Sequence, residues 1–235
     1  MNKHGKLYLF PVTLGETPIN QVIPEYNFNV LNQIDIFLVE NIKTARRFLK
    51  QSNIEKPIHE IVLFEIGKHG ETEKYPTYIK YLSEGKNIGI LSEAGCPGIA
   101  DPGAVLVALA QEKGYNVVPL VGPSSILLSL MASGFNGQNF CFHGYLPIEN
   151  KSRISKLKDM ERLAFKEKQT QLFIETPFRN NQLLKDILQT LNSNSMLCIA
   201  VDITTADESI QTKTVSEWKK TQIDLHKRPC MFLIG

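Results

Sequence analysis

The stretch that decides the fold is NIGILSEAGCPGIADPG, residues 87–103. It begins with an apolar run from Ile88 to Leu91, whose length and polar borders are typical of a buried strand. After Ser92 comes a loop with three glycines, two prolines and two carboxylates, and a helical pattern starts at Gly103. Strands that lead through such loops into helices present backbone N–H groups to small ligands at their carboxyl ends. The stretch therefore predicts one wall of a ligand site in an α/β protein.

The composition sets wide bounds on the kind of protein. The chain has 235 residues, 43% of them apolar, which suffices for one large domain or two small ones with hydrophobic cores. It carries 26 Lys and Arg residues against 24 acidic ones, so the net charge of +2 neither favours nor excludes a polyanionic partner. A nucleic-acid site would therefore have to be a local basic patch.

Neither metal binding nor membrane insertion is indicated by the sequence. The four cysteines lack the close spacing of metal ligands, and the five histidines form no HxH or HxxxH pair, so we expect reduced thiols and no metal site. The apolar run near the N-terminus, about five residues, is too short for a signal peptide. No segment approaches the roughly 20 apolar residues of a transmembrane helix. We therefore expect a cytoplasmic protein without a membrane partner.

Strand and helix patterns alternate along the chain, which predicts an α/β fold. Strands are predicted at residues 6–10, 36–39, 58–66, 88–91, 115–120, 140–142, 171–175, 196–201, 209–214 and 230–234. Helices are predicted near residues 29–34, 42–51, 75–83, 103–113, 125–132, 152–168 and 180–191. We predict two α/β domains, residues 1–121 with a mostly parallel sheet and residues 122–235 with a mixed sheet.

Two predicted helices are rich in positive charge. In the segment IKTARRFLKQ, residues 42–51, the cations share one face at positions i, i+3, i+4 and i+7: Lys43, Arg46, Arg47 and Lys50. Residues 151–168 contain seven Lys or Arg against three acids. Each surface is either an ordinary solvated helix face or a contact for phosphate groups, and the sequence leaves both interpretations open.

Common nucleotide-binding and hydrolase motifs are absent. Nothing matches GxxxxGK[ST], and the loop after the first strand, PVTLGE, has one glycine instead of the three of a dinucleotide-binding loop. Ser92 follows a strand but lacks the GxSxG turn of a serine hydrolase. These absences disfavour a nucleotide hydrolase, an ordinary dehydrogenase and a serine hydrolase.

Four segments carry a resemblance to a known family: LSEAGCPGIADPG (residues 91–103), VVPLVGPSS (117–125), GYLP (144–147) and FIETPFRN (173–180). The chain resembles the tetrapyrrole methylase family of S-adenosylmethionine-dependent methyltransferases. Within that family it is most similar to the bacterial enzymes that methylate a ribose 2′-hydroxyl of 16S ribosomal RNA. Those enzymes typically show SDAGTPxxSDPG, VPxPGPSA, GFLP and ESPHR in the same order, and the resemblance covers nearly the whole chain.

The resemblance implies a fold, a cofactor and an assembly. It implies two α/β domains of the tetrapyrrole methylase fold with S-adenosylmethionine in the cleft between them, and a homodimer. Carried over position by position, the family's cofactor contacts fall on Leu14, Gly15, Ser92, Glu93, Ala94, Ile99, Ser124, Ser125, Glu175 and Ala200.

Several of these residues also have a structural interpretation. Glu93 is interpretable as a solvent-facing loop acid, but its position at a strand end beside a positively charged sulfonium favours a ligand role. Ser92 is also interpretable as an ordinary turn residue, and Ser124 or Ser125 as the N-cap of the following helix. A serine at position 124 or 125 that caps the helix can also contact a ligand.

Two residues are candidates for assisting the methyl acceptor. A ribose hydroxyl is a poor nucleophile when protonated, so a nearby base or a polarising cation would help. By position these are Glu40, at the end of the second strand, and Arg179, in the ETPFR segment. Alternatively, Glu40 caps the next helix and Arg179 pairs with Glu175 four residues earlier. The sequence does not assign a base.

The chain departs from the family pattern on the presumed acceptor side. PVTLGE and ENIK stand where the relatives typically have PTPIGN and EDTR. Phe178 replaces the histidine of ESPHR, and Asp207 stands where a further histidine is expected. The cofactor loop matches the family pattern better than the presumed acceptor-side residues do. We therefore predict either a changed substrate or reduced activity on the usual one.

Three functions are compatible with the sequence, and the first is favoured by the motifs and by the two basic helices. The first is 2′-O-methylation of a ribose in 16S ribosomal RNA, with the RNA or the small ribosomal subunit as partner. The second is methylation of a tetrapyrrole or another small acceptor. The third is a degenerate homodimer that binds the cofactor without catalysis.

Overall fold

The computed structural model describes residues 4–67 and 71–235. The chain forms two compact units, Met1–Ser124 and Ser125–Gly235, each with a sheet and a hydrophobic core of its own. No helix in these described ranges is both long and apolar enough to cross a bilayer.

The first unit is a parallel sheet covered by helices. Its strands are β1 (Lys6–Phe10), β2 (Ile36–Val39), β3 (Val62–Glu65), β4 (Ile88–Leu91) and β5 (Asn116–Pro119). Its helices are α1 (Ile19–Val22), α2 (Glu25–Leu31), α3 (Ile42–Gln51), α4 (Tyr75–Ser83) and α5 (Ala104–Glu112). The strand order is β3-β2-β4-β1-β5, and the pairings between neighbours are parallel. Their carboxyl ends therefore share one edge of the sheet.

The central strands of this unit are apolar because both faces of the sheet are covered. Every residue of β2 and β4 is buried, as expected for strands packed between two helical layers. Phe37, Leu49 and their neighbours form the core on the side of α2 and α3. Ile90, Leu106 and their neighbours form the core on the side of α4 and α5.

The second unit contains a mixed sheet. Its strands are β6 (Phe140–Tyr145), β7 (Thr170–Ile174), β8 (Met196–Val201), β9 (Ser209–Thr214) and β10 (Cys230–Ile234). Its helices are α6 (Ser125–Ser133), α7 (Asn150–Glu167), α8 (Asn180–Thr190) and α9 (Val215–Trp218). In the order β6-β7-β10-β8-β9, β6 and β7 pair in parallel and the other pairs are antiparallel. The carboxyl ends of β7 and β8 therefore meet the start of β10 at one edge.

The structure corrects some predicted elements. The helix predicted near residues 29–34 is α2, which begins earlier, at Glu25 directly after Pro24, and the short helix α1 after Pro18 was not predicted. A proline is tolerated at the start of a helix because a backbone N–H is not required there. Residues 58–60 form a 3-10 turn after Pro57, so β3 is shorter than the predicted strand. Strand β6 continues to Tyr145 through an irregularity in its register with β7. Helix α9 was not predicted, because it is too short to show a helical repeat of apolar residues. The pattern that could have indicated it is the capping box formed by Thr214 and Glu217.

A buried ion pair joins α7 to α8. The Nε of Arg153 donates to Oδ2 of Asp186 at 2.8 Å, and its Nη1 donates to the carbonyl of Ile148 at 2.6 Å. Gln182 donates to the other carboxylate oxygen of Asp186 at 2.8 Å. These hydrogen bonds satisfy both the guanidinium of Arg153 and the carboxylate of Asp186. They thereby offset the free-energy cost of removing the two charges from water.

We expect Gly89→Ala to lower the free energy of unfolding by about 1–3 kcal/mol through overpacking. A Cβ at Gly89 would lie 2.5 Å from ring atoms of Phe37 and 3.1 Å from Phe10, inside the core of the first unit. The control is Gly137→Ala, because nothing lies within 4 Å of that Cβ position. Urea denaturation measures both, and equal stabilities would contradict the packing described.

We expect Arg153→Met to cost about 3–5 kcal/mol, because the Asp186 carboxylate is left buried without its cation. The control on the same helix is Arg162→Met, whose exposed pair with Asp159 contributes less than about 1 kcal/mol. Chemical denaturation checks the contrast. The double change Arg153→Met, Asp186→Leu should recover stability, and a double variant as unstable as Arg153→Met would contradict the assignment.

Candidate functional site

Three loops converge at the carboxyl edge of the first sheet. They follow β1, β4 and β5, and the second of them is the central loop, residues 92–103. The backbone N–H of Val12, after β1, donates to the carbonyl of Gly95 at 2.9 Å. The Sγ of Cys96 lies 3.5 Å from the carbonyl of Pro123, after β5. The central loop is thus held from both sides by its neighbours.

Gly95 is the point where these loops come closest. Its φ of +69° lies in the left-handed region, which favours glycine. A Cβ there would lie 3.1 Å from Cδ2 of Leu14 and 3.5 Å from the carbonyl of Pro123. The buried hydroxyl of Ser92 donates to the Gly95 carbonyl at 2.8 Å, so the interpretation of Ser92 as a turn residue is confirmed. Only a residue without a side chain lets the three loops pack this closely.

Glu93 is exposed, but its carboxylate is fixed in direction. It accepts a hydrogen bond from the hydroxyl of Thr44, in the first turn of α3. That turn is capped by Asn41, whose Oδ1 accepts from the backbone N–H of Lys43 at 2.8 Å. A small cavity of about 50 Å³ lies at this junction, lined by Thr13, Thr44, Arg47, Ser92, Glu93 and their neighbours. The central loop and α3 therefore form one structural feature.

Asp101 closes the far end of the central loop. Its Oδ1 accepts from the backbone N–H of Gly103 at 3.1 Å and, more weakly, from that of Gly98 at 3.5 Å. Partial burial raises the pKa of this carboxyl above its usual value, the two backbone hydrogen bonds lower it in part, and the charge of Glu93 raises it further. The loop thus carries two carboxyl groups that influence each other, one exposed and one partly buried.

In the second unit, Glu175 and Arg179 form a compact pair at the end of β7. The Glu175 side chain is 3% exposed, and its Oε1 accepts from Nη2 of Arg179 at 2.6 Å. The same oxygen accepts from the backbone N–H of Thr176 at 2.6 Å. The predicted pairing of Arg179 with Glu175 is confirmed, and the positive charge of Arg179 is thereby balanced within the unit.

The other predicted site residues are distributed over both units. Leu14, Gly15, Ala94 and Ile99 lie in loops of the first unit, and the Ile99 side chain is 55% exposed. Ser124 and Ser125 stand on either side of the division between the units. Ala200 is fully buried in β8, between β9 and β10. The alternative that Glu40 caps α3 is wrong, because Asn41 does so.

The edge that carries Glu175 also contains contacts that the sequence analysis missed. Arg228, just before β10, donates to Asp202 at 2.6 Å and to the carbonyl of Asp207 at 3.0 Å. The exposed ring of Phe178 meets the ring of His226 edge to face, with centroids 6.0 Å apart. A histidine therefore lies beside the position where the family pattern has one, supplied by a distant part of the sequence.

A larger cavity, in the second unit, lies elsewhere. It measures about 570 Å³ and is lined by residues of the second unit near the amino ends of β7 and β8, including Asn136, Lys168 and Ser195. Its polar walls largely bond to each other: Asn136 donates to the Lys168 carbonyl at 2.7 Å, and Ser195 donates to Glu161 at 2.5 Å. It contains none of the predicted site residues. In the described ranges, no group of three or more His, Cys, Asp or Glu side chains is arranged to hold a metal ion.

Comparisons with known proteins give a family and a fold. No family model matches the chain. It is 31% identical over 236 residues to ribosomal RNA small subunit methyltransferase I of Escherichia coli O157:H7, spanning 99% of this chain and 78% of that protein. It is 32% identical over 211 residues to the protein of the same name from Vibrio cholerae serotype O1, spanning 90% and 69%.

Two solved structures share the fold. The methyltransferase CobJ matches with a TM-score of 0.65 and 15% identity, over 99% of this chain and 93% of that one. The cobalt precorrin-4 methyltransferase CbiF matches with a TM-score of 0.63 and 17% identity, over 100% and 96%. At these identities the likeness concerns the fold alone, which is the tetrapyrrole methylase fold.

We expect Asp101→Asn to gain stability relative to the wild type as the pH rises from about 4 to 7. The raised pKa of Asp101 means that the folded protein holds this proton more tightly, so wild-type stability falls as the pH rises through the ordinary value of 3.8. The asparagine oxygen still accepts both backbone hydrogen bonds but does not titrate. Urea denaturation at several pH values measures the difference.

The control, Asp224→Asn, should show the opposite trend. The hydrogen bond from Asn181 lowers the pKa of Asp224, so the wild type gains stability over this variant as the pH rises toward the ordinary value of 3.8, and the gain is nearly complete above it. Parallel curves for wild type and Asp101→Asn would show that Asp101 is not perturbed in the fold.

Proposed function

Because this chain belongs to the family of ribosomal RNA small subunit methyltransferase I, we propose that it methylates a ribose 2′-hydroxyl of 16S ribosomal RNA with S-adenosylmethionine as the methyl donor. The observation that supports this proposal is the convergence of three loops on Gly95, with Glu93 held beside them. We propose ribosomal RNA as the substrate because the relatives are named ribosomal RNA small subunit methyltransferase I.

We propose that the donor contacts the carboxyl edge of the sheet in the first unit. Backbone groups of the central loop are brought close together, since a Cβ at Gly95 would fill the space between Leu14 and Pro123. Glu93 supplies an exposed negative charge for a cationic ligand, and Thr44 fixes its direction. We assign cofactor contact in this unit to Leu14, Gly15, Ser92, Glu93, Ala94, Ile99 and Ser124, and in the second unit to Ser125, Glu175 and Ala200.

The methyl donor and the protein have different roles in the proposed reaction. S-adenosylmethionine supplies a methyl group on a positively charged sulfur and leaves as a neutral thioether, so the donor provides most of the driving force. The protein's residues have to align the acceptor hydroxyl with the methyl carbon and keep water away. The rigid central loop, tied at Val12 and Thr44, suits such an aligning role.

Glu40 and Arg179 differ as candidates on the acceptor side. Arg179 is held by Glu175, so we propose that it keeps the Glu175 carboxylate in place as a positioning residue. Glu40 stands at the carboxyl end of β2, directly before the Asn41 cap, and we propose it as the base that receives the hydroxyl proton. The assembly that we propose, from the family resemblance, is a homodimer.

We expect the wild type to bind S-adenosylhomocysteine, and Glu93→Lys, Ser124→Trp to lose at least about 100-fold in affinity through repulsion and steric blocking. Isothermal titration calorimetry measures both. The control is Glu112→Lys, which makes the same charge change at an exposed position of α5 and should bind normally. Undetectable binding by the wild type would remove the enzyme assignment.

We expect the protein to restore 2′-O-methylation to small ribosomal subunits from a strain that lacks it, detected by mass spectrometry of 16S RNA nucleosides. Glu40→Gln should lower kcat by about 10²–10⁴, the range for loss of a general base, without weakening cofactor binding. Cofactor binding without any methylated RNA would favour the small-acceptor alternative or the inactive homodimer instead.

A further inference from the structure

The basic face of α3 (Lys43, Arg46, Arg47 and Lys50) has no assigned role in the cofactor site. We propose that this face is the surface on which the phosphate backbone of the RNA docks, an inference that rests on the proposed function. The argument depends on exposure, charge balance and position.

All four cations are exposed, and the helix that carries them is firmly anchored. On its opposite face Ala45, Phe48 and Leu49 are buried in the core of the first unit. Asn41 caps its amino end. The basic side chains therefore project from a fixed platform rather than from a mobile segment, which reduces the conformational entropy lost on binding.

The charge on this face is not balanced locally. Helix α3 contains no acidic residue, and its four cations exceed the net charge of +2 of the whole chain. In the described part of the chain, none of the four lies within ion-pair distance of a carboxylate. Four unpaired cations within about 15 Å of helix form a local positive field that attracts a polyanion.

The other basic segment, α7, is different. Arg153 is buried against Asp186, so it belongs to the core. Arg162 lies near Asp159 and Lys166 near Glu167, both at 3.8 Å. Because much of the charge on α7 is engaged within the protein, that helix is the weaker candidate for RNA contact and serves as an internal control.

The position of α3 links the basic face to the candidate cofactor site. Thr44, in its first turn, donates to Glu93 of the central loop. Arg47 lines the small cavity that Glu93 and Ser92 also line. A nucleic-acid strand that follows the basic face therefore reaches the edge of the site. Contacts of this kind position the strand and do not read its sequence.

The test compares two variants that each remove three charges. One carries Lys43→Gln, Arg46→Gln and Lys50→Gln on α3, leaving Arg47 at the cavity unchanged. The other carries Lys158→Gln, Arg162→Gln and Lys166→Gln on α7, all at exposed positions. The affinity of each for small ribosomal subunits and for a 16S RNA fragment is measured between 50 and 200 mM salt, together with S-adenosylhomocysteine binding and thermal stability.

For the α3 variant we expect at least about tenfold weaker RNA binding at low salt. We also expect a slope of log K against log salt that is smaller by about 2, because each lost phosphate contact removes roughly 0.7–0.9. The KM for small subunits rises while kcat at saturation and cofactor affinity stay unchanged. The α7 variant keeps nearly the wild-type slope.

A wild-type slope in the α3 variant would overturn the inference, even if the wild type methylates 16S RNA and the proposed function stands. Equal losses in both variants would also overturn it, because they would indicate a general effect of net charge. A wild type that binds cofactor but no RNA would overturn the inference and the proposed RNA substrate together.

Discussion

The candidate site depends on one carbonyl group, that of Gly95, which accepts hydrogen bonds from the backbone of Val12 and from the hydroxyl of Ser92. The first bond joins the loop after β1 to the central loop, and the second closes the turn inside the central loop. Gly95 adopts a left-handed conformation that favours glycine, and a Cβ there would lie only 3.1 Å from the Leu14 side chain. A local constraint on one residue therefore organises three loops that arise far apart in the sequence.

Much of the fold was predictable because the relevant signals are local. Strands β2, β4, β8 and β10 lie at the predicted residues, since each is a short apolar run bordered by polar residues, proline or glycine. The family predicted from four short segments is confirmed by the identity of 31% and 32% to its relatives. The sequence did not reveal the hydrogen bonds between side chains that are far apart along the chain. Thr44 and Glu93 are 49 residues apart, and Arg153 and Asp186 are 33 apart.

The edge of the second sheet is built differently from the central loop of the first unit. At the edge of the second sheet, Glu175 holds Arg179 and Asp202 holds Arg228, so charges there are arranged in pairs. His226 lies against Phe178, which occupies the family's histidine position. The replacement of the family's histidine by Phe178 therefore does not leave this position without a neighbouring histidine. His226, from the region before β10, packs against it.

The hydrogen bond between Thr44 and Glu93 has a thermodynamic consequence. One partner belongs to a helix with an unbalanced positive face, and the other to the central loop. The helix is already anchored through its buried apolar face, so this bond fixes the position of the carboxylate relative to the positive face. A ligand that strengthened or weakened the bond at one partner would change the affinity for a ligand at the other partner, and by linkage the effect would be equal in both directions.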